Sequence, residues 1–126
     1  MIITLKRLKP TDVFKLQSVV KQDIAEAAYL PWPFNKSEAS TFITDYNTWG
    51  IWLNGSILAG AIEVKESHET AYFVSGLYQN IGIATEAVKQ IKDIFADRQL
   101  WCVINPENKA SLKVAQKAKM RVQFYQ

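Results

Sequence analysis

"YQNIGIATEA", residues 78–87, stands where a strand-like run gives way to a helix-like one. Gly82 and Ala84 leave the backbone nearly bare just ahead of a well-formed helical pattern, in a chain with only five glycines. Two readings stay open on these residues alone. One is a tight strand-to-helix turn. The other is a seat for an anion, because the first amides of a helix lack internal partners and carry partial positive charge. A glycine at 82 removes the Cβ that would keep an anion away, and Asn80 tolerates a left-handed backbone better than most residues.

Outward from that turn, "TAYFVS" (70–75) reads as a strand. Ala84, Ala87, Val88, Ile91, Ile94 and Phe95 form one stripe of the helix that follows. "GIWLNGSILAGAIEV" (50–64) reads as two strands turning at Asn54-Gly55, a strong hairpin signal. "LWCVI" (100–104) is a short, wholly apolar strand of the kind buried in the middle of a sheet. "NPENKASLKVAQKAKM" (105–120) is a loop and a last helix, capped by Asn105 or Asn108, and 121–125 supplies a final strand. Near the start, 2–8 is a strand ended by Pro10. Val13, Leu16, Val20, Ile24 and Ala27 then predict one amphipathic helix capped by Thr11 or Asp12. Pro31 and Pro33 break the chain into a loop at 29–35. Asn35 with Glu38 resembles a capping box for a second helix, whose buried face is Ala39, Phe42, Ile43 and Tyr46.

The order strand, helix, helix, three strands, helix, strand, helix, strand predicts a mixed α/β sheet with helices on both faces. With 126 residues the chain is read as a single domain, 1–126. Hydrophobic residues make up 48% and charged residues 21%, as in ordinary globular proteins. No apolar run approaches ~18 residues and the N-terminus lacks a signal pattern, so a cytoplasmic location is expected, with no membrane partner. The lone Cys102 is read as a small core residue. The net charge of +3 gathers partly in Lys109, Lys113, Lys117, Lys119 and Arg121. These form either a solvated helix face or a surface favouring a phosphorylated ligand. No aromatic residues interleave with them, so nucleic acid is poorly supported.

Two motifs carry a resemblance over nearly the whole chain. "QNIGIA" (79–84) resembles the Q/R-x-x-G-x-G/A motif of the GNAT superfamily of acetyl-CoA-dependent N-acetyltransferases. "NPENKASLKVAQKAKM" resembles the N-P-x-N-x-x-S segment of the Rim-type branch, which acetylates ribosomal-protein N-termini. The loop and second helix from "LPWPFN" onward and the hairpin at 50–64 are similar to that branch too.

The resemblance implies the GNAT-like acyl-CoA N-acyltransferase fold, acetyl-CoA as co-substrate, no metal, and an amine acceptor. Backbone amides of Gln79, Asn80, Ile81, Gly82, Ile83 and Ala84 would hold the pyrophosphate of coenzyme A. The strand ending at Phe73, Val74 and Ser75 would splay from the next and pair with the pantetheine arm. Asn108 would contact that arm, or simply cap the last helix. Ser111 would protonate the departing thiolate, or bond to its own backbone. His68 and Glu69 lie near the usual base, Glu69 aligning better, and both also suit exposed hairpin positions. With no strong base in view, an α-amine is favoured: it is neutral about once in ten at pH 7, a lysine only about once in 2,500.

The chain departs from the pattern at Asn80 and Ile81, where the family has Gly and a basic residue. It departs again at Lys119-Met120, which replace Gly-Phe, and at Ala115, where some relatives carry a catalytic tyrosine. The expected second terminal strand is missing, so the last strand is an exposed edge and a homodimer through it is expected. The rival readings are a non-catalytic acyl-CoA-binding or regulatory relative and a basic RNA- or ribosome-interaction module.

Overall fold

The computed structural model describes residues 1–124, and its strands fall into two sheets. β1 (Ile3–Arg7), β2 (Thr48–Leu53), β3 (Ile57–Val64) and β4 (Thr70–Val74) form a four-stranded antiparallel sheet in chain order. The β2–β3 hairpin turns where its sequence requires. Asn54 (φ 51°) and Gly55 (φ 80°) both take left-handed backbone, and Ser56 N donates to Leu53 O at 3.2 Å, as in a type I′ turn. β2 begins two residues before the expected start, taking in Thr48 and Trp49.

On β3 the register shifts opposite Ile51 and Trp52, leaving Ala59 as an extra residue between Leu58 and Gly60. Gly60 then faces Val74 of β4, so close that a Cβ there would stand 2.1 Å from Phe73 O. Only glycine allows this approach.

β5 (Trp101–Ile104) and β6 (Arg121–Phe124) form a separate parallel pair. This corrects the placing of 100–104 in the middle of a sheet. β5 meets the larger sheet through one bridge, Glu69 to Trp101, and then the strands part. Its burial alternates, with Cys102 and Ile104 in the core and Trp101 and Val103 half-buried, while Cys102, Val103 and Ile104 all border the gap. The expected last residue of the final strand, Tyr125, lies outside the described residues.

Helices cover both faces of the antiparallel sheet. On one face Trp52, Leu58 and Ala61 pack beneath α1 (Val13–Val19), α2 (Gln22–Ala27) and α3 (Lys36–Asp45). On the other, Ile51, Leu53, Ile62 and Val74 meet Ile83, Ala87, Val88 and Ile91 of α4 (Ile83–Ile94). This second core continues through Cys102 and Ile104 to Ala115, Ala118 and Met120, at the end of α5 (Lys109–Lys117) and beyond it. Each fully buried Ile or Val contributes roughly 1.5–3 kcal/mol, so the stripe on α4 is what docks it.

Three local expectations are corrected. The single helix over 11–27 is a 3-10 turn (Pro10–Asp12) followed by α1 and α2, with Val20 extended between them (ψ 90°). Val19 and Val20 are both buried, as are Leu16, Ile24 and Ala25, and one straight helix cannot turn so many neighbours inward. Ala27 is exposed. Asp12 takes the N-cap position of α1 as one of the two expected residues, but its side chain makes no capping bond there; the carboxylate accepts instead from Lys9 N at 2.9 Å. Tyr46 follows the end of α3 and is exposed, stacking edge-on against Phe42.

Other ends close as their residues predict. Asn35 Oδ1 accepts from Glu38 N at 2.9 Å. α5 ends in a Schellman motif: Met120 N donates to Ala115 O, Lys119 N donates to Gln116 O, and Lys119 is left-handed (φ 58°). Lys119 takes left-handed backbone at the position where the resembled family would have glycine.

Candidate active site

At the entrance to α4 the chain runs through Asn80 (φ 64°) and Gly82 (φ 86°), both left-handed. Gly82 takes the N-cap position, and no side chain caps the helix. Every backbone amide from Gln79 to Thr85 lacks a hydrogen-bond partner among the described residues. A Cβ at Gly82 would meet nothing within 4 Å, so the turn stands open at this residue. Unsatisfied donors at a helix start, backed by the macrodipole, suit a diphosphate. The Gln79 side chain braces the turn, its Nε2 donating to Val74 O at 3.0 Å.

Where β4 parts from β5, a cleft of about 1200 Å³ opens. It brings together Glu69, Tyr72 and Phe73 from the β4 side with Asn108 and Ser111 from the start of α5. Val74, Ser75 and the turn at 79–84 lie past the end of this lining. Ser75 N donates to Ala59 O at 2.7 Å, and its hydroxyl accepts from Leu77 N.

Asn108 caps α5, its Oδ1 accepting from Ser111 N at 3.2 Å; Asn105 accepts instead from Glu107 N. The Ser111 hydroxyl makes no hydrogen bond among the described residues, unlike Ser18 and Thr44, which donate to carbonyls one turn back. Its backbone is nonetheless tied down, for Tyr72 Oη donates to Ser111 O at 2.8 Å across the gap. Burial, with Cys102 beside it, pushes the Tyr72 phenol well above its ordinary range. Cys102 is in the core as expected; burial and then the charge of Glu69 push its thiol up to about 11. A thiol so raised is a poor nucleophile at neutral pH.

Glu69 and His68 both line the cleft. Glu69 is held by Lys65, with Oε2 3.4 Å from Nζ, while His68 has left-handed backbone (φ 73°) and its carbonyl accepts from Trp101 N. A second carboxylate, Glu63 on β3, lines the same cleft opposite Ala71. Burial raises its pKa, the Lys65 charge lowers it, and the Glu69 charge raises it, for a net rise above 4.5.

Sequence reasoning missed Glu63 and Tyr72. Each had a signal. Glu63 is the one charged residue in an otherwise apolar strand, and β4 alternation puts Tyr72 on the face opposite Phe73. The basic residues 109, 113, 117, 119 and 121 are all exposed, and none lines the cleft. Among the described residues no His, Cys, Asp and Glu group could hold a metal ion, and no helix is long and apolar enough to cross a membrane.

The fold has solved counterparts. A GNAT-family acetyltransferase from Bacillus anthracis superposes with a TM-score of 0.79 at 22% identity, over 94% of this chain and 80% of its own. The microcin C7 self-immunity acetyltransferase MccE, solved with acetyl-CoA and AMP, gives 0.74 at 18% identity, over 92% and 77%. The ribosomal-protein-S5-alanine acetyltransferase from Vibrio fischeri gives 0.69 at 15%, over 92% and 78%. No curated protein sequence is a significant match. The family model described as the acetyltransferase (GNAT) domain matches residues 3–121. That span takes in the whole antiparallel sheet, β5, every helix and the bare turn before α4, and the chain therefore belongs to the GNAT family of acetyl-CoA-dependent acetyltransferases.

Proposed function

We propose that this enzyme transfers the acetyl group of acetyl-CoA to a primary amine, either a protein or peptide N-terminal α-amine or a small amine, by direct attack in a ternary complex. The observation that carries this reading is the unbroken run of unpartnered amides from Gln79 to Thr85 around Gly82. Those amides bind the pyrophosphate, and the free edge of β4 at Phe73, Val74 and Ser75 receives the pantetheine arm. Asn108 keeps its Nδ2 available for the same arm while its Oδ1 caps α5.

Bound acetyl-CoA supplies the thioester carbonyl that the amine attacks. Ser111, with its hydroxyl uncommitted, donates the proton that the departing thiolate takes up. Of Glu63 and Glu69, Glu63 is the better proton acceptor, because burial raises its basicity while Lys65 holds Glu69. Glu69 acts through its charge, which raises Glu63 further. The Rim-type resemblance and the α-amine's higher neutral fraction support an N-terminal acceptor.

The reading is tested by CoA release from acetyl-CoA with a panel of small amines and peptides bearing free N-termini. Release with at least one amine is expected. Binding of acetyl-CoA without release on any amine would leave the non-catalytic relative in its place. Peptide acetylation confined to lysine would overturn the α-amine preference.

Ser111→Ala should lower kcat by roughly tenfold to a hundredfold, with a smaller change in KM for acetyl-CoA. An unaltered kcat removes Ser111 from the mechanism.

Glu63→Gln is expected to lower kcat about a hundredfold. It should also raise the melting temperature at pH 7. A carboxyl whose folded pKa is raised holds its proton more tightly when folded, so its contribution is most favourable below 4.5 and declines as pH climbs through the folded value. At pH 7 the charged group is a burden that glutamine removes, and near pH 4 the gain disappears. Melting curves at the two pH values check the sign.

The homodimer remains part of the proposal. β6 is hydrogen-bonded on one side only and its residues are mostly exposed. Light scattering showing a monomer at high concentration would remove it.

A further inference from the structure

The first turn of α5 is gripped at one residue. Ser111 is held on both sides of its Cα: Asn108 Oδ1 accepts from its amide at 3.2 Å, and Tyr72 Oη donates to its carbonyl at 2.8 Å. Between the two grips its hydroxyl makes no hydrogen bond among the described residues. A fixed backbone with a free side chain is the arrangement a proton-transferring hydroxyl needs, because transfer works only within hydrogen-bond reach of its partner.

The two grips differ in origin. Asn108 is the N-cap of the same helix, so its bond forms as the helix forms. Tyr72 belongs to β4, 39 positions earlier, and its bond exists only when α5 is docked against the sheet. In β4 it stands opposite Ile62 of β3, so the strand ladder fixes its Cα. The phenol is no proton source itself. Burial, with Cys102 beside it, keeps it neutral well above its ordinary range, and its one proton is engaged by the Ser111 carbonyl. Lys92 makes a comparable contact just past the other end of α5, its Nζ donating to Ala118 O and Lys119 O at 3.0 Å. That tie holds the helix from its far end; the Tyr72 tie holds it at Ser111.

Resting on the acetyltransferase reading of this cleft, we propose that Tyr72 is a positioning residue. Its bond to the Ser111 carbonyl sets where the Ser111 hydroxyl stands relative to β4, and so relative to the thiolate it protonates. A thioester on the β4 edge and a hydroxyl on α5 then share one reference, the strand that carries Tyr72. A misplacement of about 1 Å between such groups costs up to roughly a hundredfold in rate. Removing the phenol oxygen leaves the bare amides at 79–84 intact, so affinity for acetyl-CoA is largely independent of it.

The test is a double-mutant cycle of Tyr72→Phe with Ser111→Ala, read in kcat, KM for acetyl-CoA and melting temperature, with an amine that supports CoA release. Tyr72→Phe should lower kcat by about fivefold to tenfold, with little change in KM for acetyl-CoA. In the Ser111→Ala background it should lower kcat no further, because no hydroxyl remains to be placed. Its cost in melting temperature should be the same in both backgrounds, because the Tyr72 bond is to a backbone carbonyl that alanine keeps. Lys92→Met, which removes the far tie, should lower the melting temperature and leave kcat unchanged. A Tyr72→Phe kcat equal to the parent's, an equal loss of kcat in the Ser111→Ala background, or a matching loss in Lys92→Met would each overturn the proposal. No CoA release with any amine defeats the acetyltransferase reading, and an unaltered kcat in Ser111→Ala defeats the role of Ser111. Either is distinct from the other outcomes and takes this inference with it.

Discussion

Gly60→Ala is expected to destabilise the protein strongly, lowering stability by about 3 kcal/mol and the melting temperature by roughly 10 °C. The new methyl would lie 2.1 Å from Phe73 O and 3.0 Å from Val74 Cα, both backbone atoms that no rotamer change can move. β4 would have to leave β3 at the residues whose far edge is proposed to receive the pantetheine arm. Where the variant stays folded at low temperature, acetyl-CoA should protect it less than the parent. Thermal melts with and without acetyl-CoA check both effects. A melting temperature within a degree or two of the parent would mean that β3 and β4 do not approach as closely as described.

The second large effect falls on ligand binding. Acetyl-CoA at a hundred times its Kd should stabilise the parent by about 2.7 kcal/mol. In Gly82→Val that protection should vanish, because a branched side chain at a left-handed residue would disturb the turn whose bare amides would hold the diphosphate. Valine also strains a residue at φ 86°, so the unliganded melt should drop as well, by about 1–2 kcal/mol. Gly55→Val separates the two causes. Gly55 has φ 80° and equally open surroundings, but it lies in the β2–β3 turn, away from the site. It should lose similar stability and keep full protection. If Gly82→Val keeps its protection too, the diphosphate is bound elsewhere.

The turn at 78–87 was legible because backbone freedom and helix-start chemistry are local. So were the Asn54-Gly55 hairpin and the Asn35 cap, each fixed by residues within a turn of one another. The broken first helix was not, because apolar spacing is compatible with both a continuous and a broken helix, and only the adjacent burial of Val19 and Val20 separates them. The apolar run 100–104 looked central because an apolar strand beside a gap has the same composition as one inside a sheet. Glu63 and Tyr72 escaped notice for a related reason. Their importance comes from what stands across from them, and Tyr72 meets its partner Ser111 39 positions away.

A sheet that stops halfway has a mechanical meaning. The β5–α5–β6 unit is joined to the rest by one strand bridge, shared core and side-chain bonds from Tyr72 to Ser111 O, Lys92 to Ala118 O and Lys119 O, and Trp101 to Ser67 O, with no continuous ladder. A donor lying along β4 would act as the missing strand and lock the two parts at a fixed separation. Only then would Ser111, on one bank, and Glu63, on the other, face each other at a constant distance. Donor entry should therefore come before productive acceptor entry, and amides in β5 and β6 should exchange their hydrogens more slowly once it has occurred.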